Sequence, residues 1–158
     1  MTSIPLGLPP ILRDKHYDSA STFTPESLLR EARRQKNVPH APIPEVCVLD
    51  PDGDIMRHLR ATRRARRTEG WACYHSEMDT FELGGREYGI VGCAVGAPYA
   101  VLLAEQMFAS GCRLLISITS SGQIRALRPP PYFILYRARA ARRGHKLPLS
   151  AAFRLCRG

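Results

Sequence analysis

Residues 125–158 contain no aspartate or glutamate. They carry nine Lys and Arg, which equals the whole formal charge of +9, while residues 1–124 balance 14 bases against 14 acids. An imbalance confined to one end marks a change of role or origin there, and it excludes a basic footprint spread over the chain. The five cysteines, Cys47, Cys73, Cys93, Cys112 and Cys156, include no CxxC pair. That spacing argues against a zinc ribbon, a dithiol redox motif and a disulfide scaffold, and predicts buried free thiols in a reducing compartment. The histidines, His16, His40, His58, His75 and His145, show no metal-ligand spacing. No apolar run is long enough to span a bilayer. Pro5, Pro9 and Pro10 interrupt the N-terminus, where a leader would need a basic start and an apolar core. The expectation is a cytoplasmic chain with no membrane partner.

The densest information lies between Gly89 and Ile124. Tyr88 to Val95 reads as a short apolar strand, buried on both faces. Gly96 turns the chain, and Pro98 sits where a helix begins without losing a needed N–H. The helix runs from Pro98 to Ser110 and stops at Gly111, with Val101, Ala104, Met107 and Phe108 predicted to face the sheet. Leu114 to Ile118 reads as a second buried strand, followed by Thr119, Ser120, Ser121 and Gly122. Strand, glycine turn, helix, strand and hydroxyl turn in that order build a parallel sheet, whose ligands bind beyond the strands' carboxyl ends.

Upstream, Thr24 caps a helix from Pro25 to about Lys36. Pro39, Pro42 and Pro44 mark a linker. Val46 to Leu49 forms a buried strand that enters the turn Asp50-Pro51-Asp52-Gly53-Asp54. A helix is predicted over Ile55–Arg67, with Arg60, Arg63, Arg64, Arg66 and Arg67 on a solvated face rather than a nucleic-acid footprint. Gly70–Met78 and Thr80–Leu83 read as strands, with His75 a structural histidine that could face a pocket. Gly84-Gly85 turns the chain into Arg86–Val95. The fold class is α/β with a mixed central sheet. The chain divides into an arm with helix and linker (1–44), an α/β domain (45–136) and a basic tail (137–158).

These motifs resemble the nucleoside phosphorylase and uridine phosphorylase superfamily, over about Pro25 to Ile124. That family carries a Gly-Gly-Pro-Ser turn, a Glu-Glu-Leu helix and a strand ending Arg-x-Gly-Thr/Ser-Thr/Ala-Gly. Here stand Gly96-Ala97-Pro98-Tyr99, Glu105-Gln106-Met107 and Ser117-Ile118-Thr119-Ser120-Ser121-Gly122. The family's first strand leads to Pro-Gly-Asp-Pro and an arginine four residues after the glycine, a spacing that Gly53 and Arg57 keep. The resemblance implies the first half of a three-layer sandwich. It implies an enzyme of nucleoside metabolism that transfers the glycosyl group of a purine or pyrimidine nucleoside to phosphate. Gly53, Arg57 and Ser120 would bind phosphate, and Ser121 and Gly122 would line the nucleoside. The partners are nucleoside and phosphate, phosphate being a co-substrate with no other cofactor, and the intact family is homo-oligomeric. Physically, glycine admits close backbone approach and a guanidinium grips phosphate oxygens as a planar fork.

The family's phosphate-binding arginine falls on Ser117. Losing a bidentate cation from a desolvated site costs about 2–5 kcal/mol, so hydrolysis by a nucleosidase on the same fold stands as the alternative. The family's ribose-gripping Met-Glu motif and its base-handling residue are not found, so no catalytic residue is assigned. A non-catalytic fragment or basic-tailed binding protein is the third reading. Arg137, Arg139, Arg142, Arg143 and Lys146 have no interleaved aromatics, which argues against a stacking platform for nucleic acid. With suitable GC-rich codons, the neighbouring frame of residues 142–149 reads Asp-Glu-Gly-Thr-Ser-Tyr-His-Tyr. The tail therefore also reads as frameshift-derived. The sheet would then lack strands, and exposed apolar edges are predicted.

Overall fold

The computed structural model describes residues 18, 19, 21, 23–122, 129 and 132–135. Two compact units divide the chain, Met1–Ser120 and Ser121–Gly158. In the first, helix α1 spans Pro25–Lys36, strand β1 Val46–Asp50, helix α2 Asp54–Ala61 and strand β2 Ala65–Arg67. Strands β3 (Asp79–Leu83) and β4 (Arg86–Gly92), helix α3 (Ala97–Ala109) and strand β5 (Leu114–Ser117) follow. In the second unit Phe133, Ile134 and Leu135 are exposed. The basic tail 137–158, Cys156 and residues 1–17 lie outside the described residues.

Local chemistry explains the ends of α1. The Thr24 hydroxyl accepts from Ser27 N–H at 3.2 Å, and Asn37 closes the helix in the left-handed region at φ 53°. Asparagine tolerates that conformation better than most residues. Gly84 and Gly85, both at positive φ, make the β3–β4 hairpin turn.

The sheet order is β2-β3-β4-β1-β5. β1 pairs in parallel with β4 and with β5; β3 pairs antiparallel with β4 and with β2. The fold is therefore α/β, with a five-stranded mixed sheet. Alternation along the strands sorts the core into two layers. Val48 and Ile90 pack with Met56 and Leu59 of α2, whereas Cys47, Leu49 and Val91 pack with Leu103 and Met107 of α3. Leu29 and Ala32 of α1 pack with Ala72, beside Ala109 at the end of α3. Helices thus cover both sheet faces.

Several expectations are corrected. The chain from Ile55 to Arg67 is not one helix. Arg63 takes φ 56°, and Arg66 then pairs with Thr80 across the sheet. The free strand edge of β3 outcompetes helix propensity there. Gly70–Met78 is not a strand but an irregular connection, buried in part. Trp71, Ala72, Cys73 and Met78 are buried in it, and Trp71 Nε1 donates to Ser76 Oγ at 2.9 Å. Met107 faces the sheet as expected, but with Leu103 and Gln106 beside it, while Phe108 is 44% exposed.

β5 is an edge strand, not a fully buried one. Leu115 packs inward, but Leu114, Ile116 and Ile118 are 40%, 36% and 36% exposed. α2 packs over β1, β2 and β4, leaving that side of β5 open, so the predicted exposed apolar edge is present. Cys47, Cys73 and Cys112 are buried free thiols, as expected, but Cys93 is an exposed one. Cys47 and Cys112 lie thiol to thiol, and that contact with burial raises the Cys47 pKa.

Candidate functional site

β4, β1 and β5 are parallel neighbours, so their carboxyl ends open on one side of the sheet. Three segments meet there: the turn after β1, Cys93 after β4, and Thr119–Ser120 after β5. Asp50, the last residue of β1 and 2% exposed, organises the first two. Its carboxylate accepts from Gly53 N–H at 3.1 Å and Met56 N–H at 2.9 Å. Its carbonyl accepts from Cys93 N–H at 2.9 Å. A buried carboxylate bound to the amides at a helix start satisfies donors that the helix leaves unpaired.

Gly53 takes φ 77°, and a Cβ there would sit 2.6 Å from Cys93 Sγ and 2.8 Å from Arg57 Nη1. Both backbone and space therefore demand glycine. Arg57 Nη2 donates to the Asp52 carbonyl at 2.9 Å and pairs closely with Asp54. The Asp54 hydrogen bond raises the Arg57 pKa. Arg57 Nη1 lies 3.9 Å from Cys93 Sγ.

Asp52 joins the third segment. Its Oδ2 accepts from Ser120 N–H at 2.6 Å and from Thr119 Oγ1 at 3.2 Å. The Ser120 amide holds the Asp52 carboxyl below its ordinary range. Of the sequence-predicted residues, Gly53, Arg57 and Ser120 are thus brought together, through Asp52. Ser121 and Gly122 belong to the second unit and are exposed. Ser117 ends β5 opposite Leu49 and brings no charge to the corner.

Cys93 also borders an open cavity of about 430 Å³, shared with Met56, Arg60, His75, Gly92 and Tyr99. His75 therefore does line a pocket. Its carbonyl accepts from the Tyr99 hydroxyl at 2.8 Å, and burial raises the Tyr99 pKa. Arg60 binds the buried Asp79 and also Glu77. Arg67, more than Arg60, holds the Glu77 carboxyl low.

Sequence reasoning missed Asp50, Asp52 and Cys93 as parts of the site. Asp50 and Asp52 stand in a turn that was legible, yet their partners are 6 and 68 residues away. Cys93 read as part of a buried strand, whereas β4 ends at Gly92 and Cys93 takes φ 61°.

The Asp52 link carries a pH prediction. A carboxyl whose folded pKa is depressed adds stability above its unfolded pKa and loses it as pH falls through the folded value. The Ser120 amide is therefore expected to stay protected from exchange at neutral pH. Protection falls only below the ordinary aspartate range. Hydrogen exchange of that amide against pH reads this out, and protection that persists once Asp52 is protonated would count against the link.

No family model, curated protein or solved structure matches the chain. Among the described residues, no cluster of His, Cys, Asp and Glu could hold a metal ion, and no helix is long and apolar enough to cross a membrane.

Proposed function

We propose that this corner handles a nucleoside and that the protein cleaves its N-glycosidic bond, as the nucleoside phosphorylase-like motifs imply. The observation that carries the reading is the meeting of Gly53, Arg57 and Ser120 at the carboxyl ends of three parallel strands. Open α/β sheets bind ligands at that edge. The adjoining cavity beside Cys93 is of a size for a small organic ligand.

With phosphate as co-substrate, an anion beside the ribosyl carbon would stabilise the positive charge that develops as the base departs. Gly53, Arg57 and Ser120 would hold that anion. The fold would be the first half of the nucleoside phosphorylase sandwich. Hydrolysis is the second reading, favoured by the uncharged Ser117 at the end of β5.

The full chain is expected to release free base from a purine or pyrimidine nucleoside, followed by chromatography with and without phosphate. Release that requires phosphate identifies phosphorolysis; release without it identifies hydrolysis. No release under either condition, across a panel of nucleosides, rejects the reading.

A further inference from the structure

Three carboxylates share this corner with one guanidinium: Asp54 pairs with Arg57, and Asp50 and Asp52 interact with its charge. The predicted phosphate donors are also already engaged. Gly53 N–H donates to Asp50, Ser120 N–H to the Asp52 carboxylate, and Arg57 Nη2 to Asp52 and Asp54. Asp52 matters most, because its exposed carboxylate lies where an oxyanion would accept from Ser120 N–H. An arriving phosphate would have to displace one negative charge and would meet two more. Like charges a few ångströms apart repel one another even in bulk water.

We infer that Asp52 is a specificity-determining residue that excludes oxyanions from the corner and leaves water as the acceptor. The inference rests on the proposed glycosidic chemistry for its reaction, but not for its charge argument. Thr119 and Ser120 fix the Asp52 carboxylate, and a fixed acceptor can bind a water by one of its protons. In the reaction, the water oxygen forms the bond to the ribosyl carbon as the carbon–nitrogen bond breaks. The electron pair of that bond leaves on the base nitrogen, which gains one proton while the water gives one up. The products are free ribose and free base. Arg57, already neutralised by Asp54, keeps the turn in place rather than attracting an anion.

The test is a titration of inorganic phosphate into the full chain, wild type against Asp52→Asn, followed by phosphorus NMR or calorimetry. Wild type is expected to show no saturable binding at millimolar phosphate. Asp52→Asn is expected to bind phosphate saturably at millimolar concentration, from loss of one repelling charge and release of the Ser120 amide. Asp52→Ser is the second variant if the amide fails to fold by circular dichroism. Saturable millimolar binding by wild type, which needs no variant, or equal binding by wild type and variant, overturns the inference.

A parallel assay of base release separates this from the proposed function. Phosphate-independent release by wild type supports the inference, and strictly phosphate-dependent release overturns it. If neither protein releases base, the glycosidic reading falls while the phosphate titration still decides the role of Asp52.

Discussion

Leu103→Ala is expected to destabilise the folded chain by about 2–5 kcal/mol. Leu103 is fully buried on α3, and with Met107 it packs against Cys47, Leu49 and Val91 on one sheet face. Alanine removes the transfer free energy of the lost carbons and leaves a cavity that its neighbours fill only in part. A domain of this size has a total stability of about 5–15 kcal/mol, so this single change consumes a large share of it. Urea unfolding should show a lower midpoint with an unchanged slope. Phe108→Ala is the internal comparison. Phe108 stands five residues on in the same helix but is 44% exposed, so its loss should cost far less. Equal costs at the two positions would show that α3 packs through the face read from sequence, not the one observed.

Asp50→Ala is expected to cost on the order of 3 kcal/mol and to dismantle the corner. The carboxylate is 2% exposed and accepts from the Met56 amide and from the Gly53 amide, which also donates to the Asp50 carbonyl at 3.0 Å. Hydrogen bonds to a charged group contribute more than neutral ones, and the Met56 amide loses this acceptor outright, whereas Gly53 N–H keeps the Asp50 carbonyl. Gly53 and Met56 amides should exchange faster in the variant, and the Asp52–Ser120 link should weaken with them. Asp50→Asn keeps one acceptor oxygen and should fall between. Asp54→Asn, at an exposed position, should move stability little. If Asp50→Ala leaves exchange at Gly53 and Met56 unchanged, Asp50 does not organise the turn.

The two residues differ in how legible they were. The packed face of α3 was read in part: Met107 is buried as expected, but Phe108 is exposed and Leu103 and Gln106 take the core positions. Hydropathy alone does not say which apolar stripe meets the sheet, since α3 is apolar nearly all round. Asp50 was visible as a turn residue only. Its role depends on β4 and α2 both reaching it, through Cys93 and Met56. The arginine run failed for a related reason. Arg63 to Arg67 suits a helix locally, yet the unpaired edge of β3 draws Ala65–Arg67 into the sheet. Gly70–Met78 is apolar and aromatic like a strand, but it packs as a connection through Trp71 and Met78.

What sequence alone determined were the features set within a few residues. These are the Thr24 cap and the span of α1, the strand before Asp50, the Gly84-Gly85 hairpin, and the glycine turns that open at the strand ends. Each rests on local backbone sterics or a short-range hydrogen bond, which propensity and spacing report directly. What only the tertiary structure decided were the relations between distant segments. β5 lies at an edge because the crossover through α3 places it beyond β1. Cys93 emerges exposed because β4 ends one residue earlier. Asp52 meets Ser120 because parallel pairing of β1 with β5 brings together turns far apart in the chain. Such contacts come from sheet register and packing, which no local pattern of residues encodes.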